Sequence, residues 1–269
     1  MLRLALLVSI GLAVSVFTPA HAEVSGLIGM QTADEGKGWQ SVGKLMLGER
    51  GFCTAALIEP QLVLTAAHCL YDKDTGARTP DDQIRFQAGW RNGRAEAYRG
   101  VKRSVAHPDY VYAGEDEVAR VAYDLALLEL DQPILLPQLQ PFGTDIRPGT
   151  GDAVSVVSYA MDRSEAPSIE KGCAVLSSTV PALILSCDID FGSSGAPVFS
   201  VVGGVARVVS VISAKAEMEG RKVALAVPLE IPLKVLRAEL ARGETGHGAA
   251  SGVRILKGGA GSGAKFVTP

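Results

Sequence analysis

The sequence predicts an all-β fold. Short segments that are apolar, or that alternate between apolar and polar residues, recur along the chain and are separated by Gly, Pro, Asp and Asn. Several are rich in Val and Ile, which suit the half-buried surface of a sheet. Strands at this spacing are typical of sandwiches and closed barrels. The predicted strands are residues 52–58, 62–66, 83–88, 124–130, 153–159, 174–180, 182–187, 198–202, 205–213 and 223–227.

One stretch near the end of the chain has helical spacing instead. It follows Pro228, and its apolar residues lie among charged residues at the intervals of a helix face. We expect this stretch to form a helix that closes the fold, and we expect a short helical turn at residues 66–70. The apolar residues of the predicted helix are Leu229, Ile231, Leu233, Val235, Leu236 and Leu240.

The two ends of the chain differ from the rest in composition. Residues 1–22 begin with Met-Leu-Arg, continue through an apolar run and end in Ala-His-Ala, a pattern that predicts a removed secretory signal. The run is shorter than the roughly 20 residues that span a bilayer, so we expect no stable membrane association after its removal. Residues 243–269 are dominated by Gly, Ala and Ser, which predicts a disordered tail.

Charge and cysteine content narrow the classes of function. The formal net charge is −3 and the basic residues are scattered, so we expect no nucleic-acid partner. Four cysteines in an exported chain predict two disulfides, for which three pairings are possible. We expect Cys53 to pair with Cys69 and Cys173 to pair with Cys187. A zinc site would need four converging ligands, and without a CxxC motif we expect neither a metal nor another cofactor.

Three segments carry residue types that work together in hydrolysis. Residues 64–69 contain His68, residues 124–128 begin with Asp124, and residues 192–197 contain Ser194. A serine hydroxyl attacks a carbonyl only when an adjacent imidazole removes its proton and a third group fixes the tautomer of that imidazole. The chain therefore holds a nucleophile, a base and an orienting carboxylate, in the order His, Asp, Ser.

These segments also resemble a known family. Residues 53–58 followed by 63–69 resemble the strand, loop and strand of chymotrypsin-fold serine proteases, in which a disulfide staples the loop bearing the catalytic histidine. Residues 192–197 resemble the nucleophile turn of that family, and the spacing is similar to the bacterial branch that contains the V8-like glutamyl endopeptidases. The resemblance covers roughly residues 38–240.

The resemblance implies an architecture as well as an activity. It implies two packed six-stranded antiparallel β-barrels with a C-terminal α-helix. The barrel in residues 23–136 would carry the histidine and the aspartate, and residues 137–242 would carry the nucleophile and the closing helix. It also implies a monomer that acts on polypeptide substrates. We expect the location to be secreted or periplasmic, in a bacterium.

The resemblance assigns roles residue by residue. Ser194, rather than Ser193, takes the place of the nucleophile, and the backbone N–H groups of Gly192 and Ser194 would form the oxyanion hole. Asp124 precedes an apolar strand, as a buried orienting carboxylate would, whereas the competing acids Asp116 and Asp131 lack that context.

His68 is the base by both motif and elimination. The other histidines lie in less suitable places: His21 in the signal, His107 in a loop and His247 in the tail. We interpret His107 as a structural residue.

The specificity pocket is predicted from spacing and resemblance alone. Asp188 lies six residues before Ser194, where trypsin-like enzymes hold an acid at the base of the pocket. Ser213 and Lys215 lie on a segment that resembles the substrate-binding strand, and Lys215 could neutralise Asp188 or narrow the pocket. Ile212 replaces the histidine of acid-specific relatives. We therefore expect a preference for basic or small residues rather than Glu.

The residue before the nucleophile is a further departure. Digestive members of the family hold Asp there, paired with an amino terminus released by cleavage, whereas this chain has Ser193 and no Ile-Val-Gly-Gly-like motif in residues 23–29. We expect activity that does not depend on such an amino terminus.

The sequence as a whole predicts an exported serine endopeptidase that works through an acyl-enzyme. Two alternatives remain open at this point. One is a catalytically silent binding protein with the same fold, and the other is an esterase that uses the same three residues.

Overall fold

The computed structural model describes residues 26–49, 51–113, 117–179 and 181–248. The predicted signal at residues 1–22 and the tail from residue 249 lie outside the described residues. The strands are β1 Ile28–Gly29, β2 Val42–Leu47, β3 Phe52–Glu59, β4 Leu62–Thr65, β5 Ile84–Ala88, β6 Ala97–Ala106, β7 Ala126–Leu130, β8 Ala153–Ala160, β9 Arg163–Ser177, β10 Leu183–Leu185, β11 Pro197–Val202, β12 Val205–Met218 and β13 Arg221–Pro228. The helices are α1 Glu117–Ala122 and α2 Glu230–Gly248, and short 3₁₀ turns span Ala67–Leu70 and Asp81–Gln83.

Six strands of the first half close into a barrel in the order β2-β3-β4-β7-β6-β5. Two of these strands, β2 and β6, were not predicted from the sequence. In β2 the apolar pattern is interrupted by Lys44, which is nevertheless 6% exposed because its ammonium lies over the rings of Phe52 and Trp90, at 4.3 and 5.1 Å from their centroids. β6 is mostly polar on its outer face, so its composition does not predict a strand. It forms one because it pairs with both β5 and β7.

The second half forms another closed ring. β8, β9, β10, β13, β12 and β11 pair in that order, β11 returns to β8, and the short β1 adds to β9. The predicted strand at 174–180 is in fact the end of β9, which starts at Arg163. The earlier part of β9 escaped sequence analysis because charged residues and Pro167 interrupt its apolar pattern. The prediction of an all-β fold with two six-stranded antiparallel barrels is confirmed.

A shared hydrophobic core joins the two barrels. The ring of Phe199 in β11 packs at a steep angle against the rings of Trp39 and Phe142, at centroid distances of 4.9 and 4.7 Å. This core fixes the seam at which residues from both halves of the chain meet.

The C-terminal helix is confirmed and packs against β6 and β7 of the first barrel. Leu233 and Leu236 are buried there, whereas Ile231 is 71% exposed and does not belong to the packed face. The helix also continues beyond Arg242 to Gly248. Once packing has fixed a helix, each further residue adds a backbone hydrogen bond at a small cost in free energy. The helix can therefore extend beyond its last buried apolar residue.

Both expected disulfides are present. Cys53 of β3 is bonded to Cys69 in the turn after β4, and Cys173 of β9 is bonded to Cys187 after β10. No helix among the described residues is both long and apolar enough to cross a bilayer.

Candidate active site

His68 lies in the 3₁₀ turn that follows β4. Its neighbours Ala67, Cys69 and Leu70 are buried and hold this turn against the first barrel, and the disulfide from Cys69 ties it to β3. The imidazole itself remains 27% exposed. The local sequence therefore fixes the backbone on both sides of His68 and leaves its ring at the surface of the seam.

Asp124 meets this imidazole because β4 and β7 are paired. Thr65 at the end of β4 lies opposite Ala126 at the start of β7, so the residues beyond these two strand ends come together. His68 Nδ1 lies 2.7 Å from Asp124 Oδ2, and the backbone N–H of His68 donates to Oδ1 at 2.7 Å.

A third donor completes the surroundings of this carboxylate. The Ser213 hydroxyl donates to Asp124 Oδ2 at 2.5 Å. Asp124 is only 3% exposed, and three hydrogen bonds offset the free-energy cost of burying its charge. A carboxylate at Nδ1 favours the tautomer with the proton on Nδ1, which leaves Nε2 free to accept a proton.

The electrostatics of His68 favour its protonated form. Burial lowers the pKa of His68, but the charge of Asp124 and the hydrogen bond to it outweigh this effect, while Arg120 opposes them. The net result is a pKa above the ordinary value of 6.5. The imidazole is therefore a stronger base than a free histidine.

The turn that carries Ser194 is anchored on both barrels. The Gly195 N–H donates to the Ile212 carbonyl at 2.8 Å, and the Thr54 N–H of β3 donates to the Ser194 carbonyl at 2.8 Å. Gly195 has φ +77°, and a Cβ atom there would overlap the Thr65 hydroxyl and the Thr54 carbonyl oxygen. Glycine is therefore required for Ser194 to approach the first barrel this closely.

The peptide that precedes the turn is held in one orientation. The Met161 N–H donates to the Phe191 carbonyl oxygen at 2.8 Å, and the Thr54 hydroxyl donates to the Gly192 carbonyl oxygen at 2.8 Å. Because the peptide is planar and trans, fixing the Phe191 carbonyl directs the Gly192 N–H to the opposite side. Among the described residues, neither the Gly192 N–H nor the Ser194 N–H has a hydrogen-bond acceptor. Both are available to an oxyanion.

A sequence model of the trypsin family matches residues 27–232, which is most of the chain. This chain belongs to the trypsin family. Among curated relatives it is 27% identical over 151 residues to glutamyl endopeptidase of Bacillus licheniformis, a match that covers 55% of this chain and 45% of the relative. It is 30% identical over 132 residues to human kallikrein-10, covering 48% of this chain and 45% of the relative.

The solved structures agree with the fold of the trypsin family. A structure of Glu endopeptidase in complex with MPD superposes with a TM-score of 0.63 at 17% identity, covering 81% of this chain and 97% of the other. This chain spans less than half the length of the curated relatives it matches. The resemblance to V8-like enzymes is confirmed.

In this trypsin-family chain the residue before Ser194 is Ser193, and its hydroxyl has hydrogen-bond partners in the neighbouring strand. Ser193 is fully buried, and its hydroxyl contacts Ser158 Oγ and the Tyr159 carbonyl oxygen, each at 3.3 Å. These neutral partners belong to β8. A buried carboxylate at this position would need an ammonium group to balance its charge. The neutral Ser193 hydroxyl needs only these neutral partners.

The predicted pocket residues do not form the predicted pair. Asp188 is exposed, and its N–H donates to the buried Glu170 carboxylate at 2.8 Å. Lys215 pairs instead with Asp190 at 3.0 Å, and its ammonium lies 4.1 Å from the centroid of the Phe191 ring. The expectation that Lys215 could neutralise Asp188 is therefore wrong. The partner of Lys215 is Asp190, which lies two residues after Asp188.

Ser213 has a role that the sequence did not reveal. Its hydroxyl donates to Asp124, while its part in binding substrate stays a prediction. The ladder between β12 and β13 shifts register between Ile212 and Ala214, so Ser213 is the extra residue of a bulge. Bulges redirect side chains, and no sequence signal marks this one.

The remaining candidates lie elsewhere. His107 is 4% exposed and stacks on Tyr123 at 4.9 Å, in keeping with a structural residue. Asp131 is exposed after β7. Asp116 and His21 lie outside the described residues. Cys53 and Cys69 lie beside His68, but their disulfide leaves no thiolate to bind a metal.

Proposed function

We propose that this trypsin-family protein is an exported serine endopeptidase with Ser194, His68 and Asp124 as its catalytic triad. The observation that carries the proposal is the 2.7 Å contact between His68 Nδ1 and the buried Asp124 carboxylate. A second observation supports the proposal. The turn that carries Ser194 is hydrogen-bonded to β3, and a disulfide joins β3 to the residue that follows His68.

The proposed chemistry gives each of these residues one role. Nε2 of His68 removes the proton from Ser194 as Oγ adds to the peptide carbonyl, and the Gly192 and Ser194 N–H groups stabilise the resulting oxyanion. His68 then donates the proton to the leaving amine, and the acyl-enzyme remains on Ser194. Water, deprotonated by His68, adds to the acyl carbon, and the proton then passes from His68 to Ser194 Oγ as the bond to the acyl group breaks. Asp124 stabilises the imidazolium that forms in each step.

The Lys215–Asp190 pair bears on specificity. This ion pair joins the segment before Ser194 to the segment after Ser213. We expect these two segments to form the walls of the pocket that holds the side chain of the cleaved residue. Phe191, 66% exposed, lies under the ammonium of this pair. We infer a pocket that takes small uncharged side chains, because a bulky side chain would have to displace the pair and a basic one would meet Lys215.

Cleavage of a mixed peptide library by the purified chain, followed by mass spectrometry, tests the proposed function. We expect internal cleavage after small residues. Turnover of simple esters with no peptide cleavage would favour the esterase alternative, and no turnover of either by the folded chain would favour a silent binding protein. The two disulfides and the sequence of residues 1–22 support export, and the proposed location is the periplasm or the medium of a bacterium.

The pH dependence provides one prediction. Only neutral His68 can act as a base, so kcat/KM is expected to fall as the pH falls through its pKa, which lies above 6.5. Asp124→Asn removes the charge that raises this pKa, and burial and the charge of Arg120 then lower it. We expect the acidic limb of the kcat/KM profile to move to lower pH, together with a loss of about 10⁴-fold in kcat. An acidic limb that stays in place would contradict the contact between these residues.

A second prediction concerns the amino terminus. Because Ser193 is satisfied by β8 rather than by an ammonium group, a mature chain that begins at residue 23 and the same chain with a few added residues should have equal kcat/KM. Active-site titration of both preparations with peptide-substrate kinetics would check this. A near-complete loss of activity in the extended chain would show that a free terminus is required.

A further inference from the structure

A cavity of about 310 Å³ opens directly beside His68 and Asp124. Its volume is at the small end of the range for ligand sites, about 300 to 1,000 Å³, and suits a single side chain. The lining residues come from the triad region, from the loop after β6, from α1 and from β12, and they include His68, Tyr110, Tyr112, Arg120, Asp124 and Ser213.

Arg120 supplies the cation of this cavity. It lies in the last turn of α1 and forms no hydrogen bond or ion pair with any residue that the structure describes. Its charge reaches the site, because it lowers the pKa of His68 and opposes the rise in the pKa of Tyr110. An unpaired guanidinium beside a small cavity is suited to a carboxylate, which can accept two parallel hydrogen bonds from it.

Asp124 is the acid that also lines this cavity. Its side chain is 5% exposed, and its oxygens already accept hydrogen bonds from His68 and Ser213. These hydrogen bonds offset part of its charge, which still reaches Tyr110 and raises the pKa of that hydroxyl.

Tyr110 adds a neutral donor. Burial is the main cause that raises the pKa of its hydroxyl, so the hydroxyl stays protonated at physiological pH. Among the described residues it has no hydrogen-bond partner. The cavity thus offers a guanidinium and a phenol to an anionic group.

The position of the cavity indicates which part of a substrate it would hold. In the proposed endopeptidase a substrate would extend along residues 213–215, which resemble the substrate-binding strand of the family, and the residue before the cleaved one would then lie against His68, which lines the cavity. We propose that this cavity binds the side chain of the residue immediately before the cleaved one, and that Arg120 selects Asp or Glu at that position. This inference rests on the proposed endopeptidase function.

Matched peptide pairs test it. Substrates that differ only by Asp against Asn, or Glu against Gln, at the position before the cleaved residue should differ in kcat/KM by about tenfold in favour of the acid. Arg120→Gln should bring this ratio close to one, and Arg120→Lys should retain part of it. Raising the salt concentration should reduce the ratio in the unmodified protein.

Arg94→Gln is the matched control, since it removes an exposed arginine that is not part of the cavity and should keep the full ratio. Equal kcat/KM for acid and amide, a preference confined to another substrate position, or a ratio that survives Arg120→Gln would each overturn the proposal.

A binding measurement separates this inference from the proposed function. The Ser194→Ala variant cannot turn over substrate, so calorimetric titration with the same Asp and Asn peptides reports on the cavity alone. Tighter binding of the Asp peptide, lost in the Ser194→Ala, Arg120→Gln double variant, supports the inference even if no preparation cleaves peptides. Equal binding of both peptides by Ser194→Ala overturns it, whatever the catalytic activity.

Discussion

Replacement of Ser194 by Ala is expected to lower kcat for peptide hydrolysis about a million-fold. The triad acts as a unit, so the loss of the nucleophile removes nearly all that the base and the carboxylate contribute. His68→Ala should cost a similar factor, and the double variant should be hardly worse than either single one. Steady-state kinetics on the best peptide from the library would measure these ratios.

Ser193→Ala is the matched control for this experiment. The change is the same and the position is adjacent, but the Ser193 hydroxyl is buried against Ser158 and Tyr159 rather than open to the site. The loss of these long hydrogen bonds should cost about 1 kcal/mol of stability and leave most of kcat intact. Substantial peptidase activity in Ser194→Ala, or an equal loss in Ser193→Ala, would contradict the assignment of the nucleophile.

Gly195→Ala is expected to have the largest effect on the architecture of the site. The residue has φ +77°, which costs a residue with a Cβ about 1–2 kcal/mol, and its Cβ would overlap atoms of both Thr65 and Thr54. Relief requires the turn to leave β3, which breaks the bond from the Thr54 N–H to the Ser194 carbonyl. We expect a loss of several kcal/mol in the free energy of unfolding and at least a hundredfold loss in kcat/KM.

Gly220→Ala separates backbone strain from steric overlap. Gly220 has φ +74°, nearly the same conformation, but no atom lies within 4 Å of the position of its Cβ. This variant should lower the melting temperature by only a few degrees and keep full activity. Thermal unfolding and kinetics of the two variants together would test the close approach, and a Gly195→Ala protein as stable and active as Gly220→Ala would contradict it.

The parts of the site that the sequence could predict are those fixed by local structure. His68 lies in a turn whose neighbours are buried and disulfide-bonded, and Ser194 lies in a glycine-bounded turn, so the residues that identify each are contiguous. Asp124 was predictable because a buried strand follows it immediately.

The parts that the sequence could not predict depend on contacts between distant segments. Ser213 reaches Asp124 through a β-bulge, a shift in strand pairing that no residue type demands. Lys215 of β12 pairs with Asp190 in the segment before Ser194, where spacing alone had favoured Asp188. Arg120 belongs to a cavity assembled from several elements, and its proposed role depends on how these elements pack. β2 and β6 likewise owe their order to neighbours in the barrel rather than to their own composition.

The most direct test of the proposed triad is covalent labelling by a fluorophosphonate, in which Ser194 Oγ displaces fluoride at phosphorus. Mass spectrometry of the digested adduct should place one label per chain on Ser194, and His68→Ala should abolish labelling while the protein remains folded. A label on any other residue, or an unlabelled but folded unmodified chain, would contradict the account.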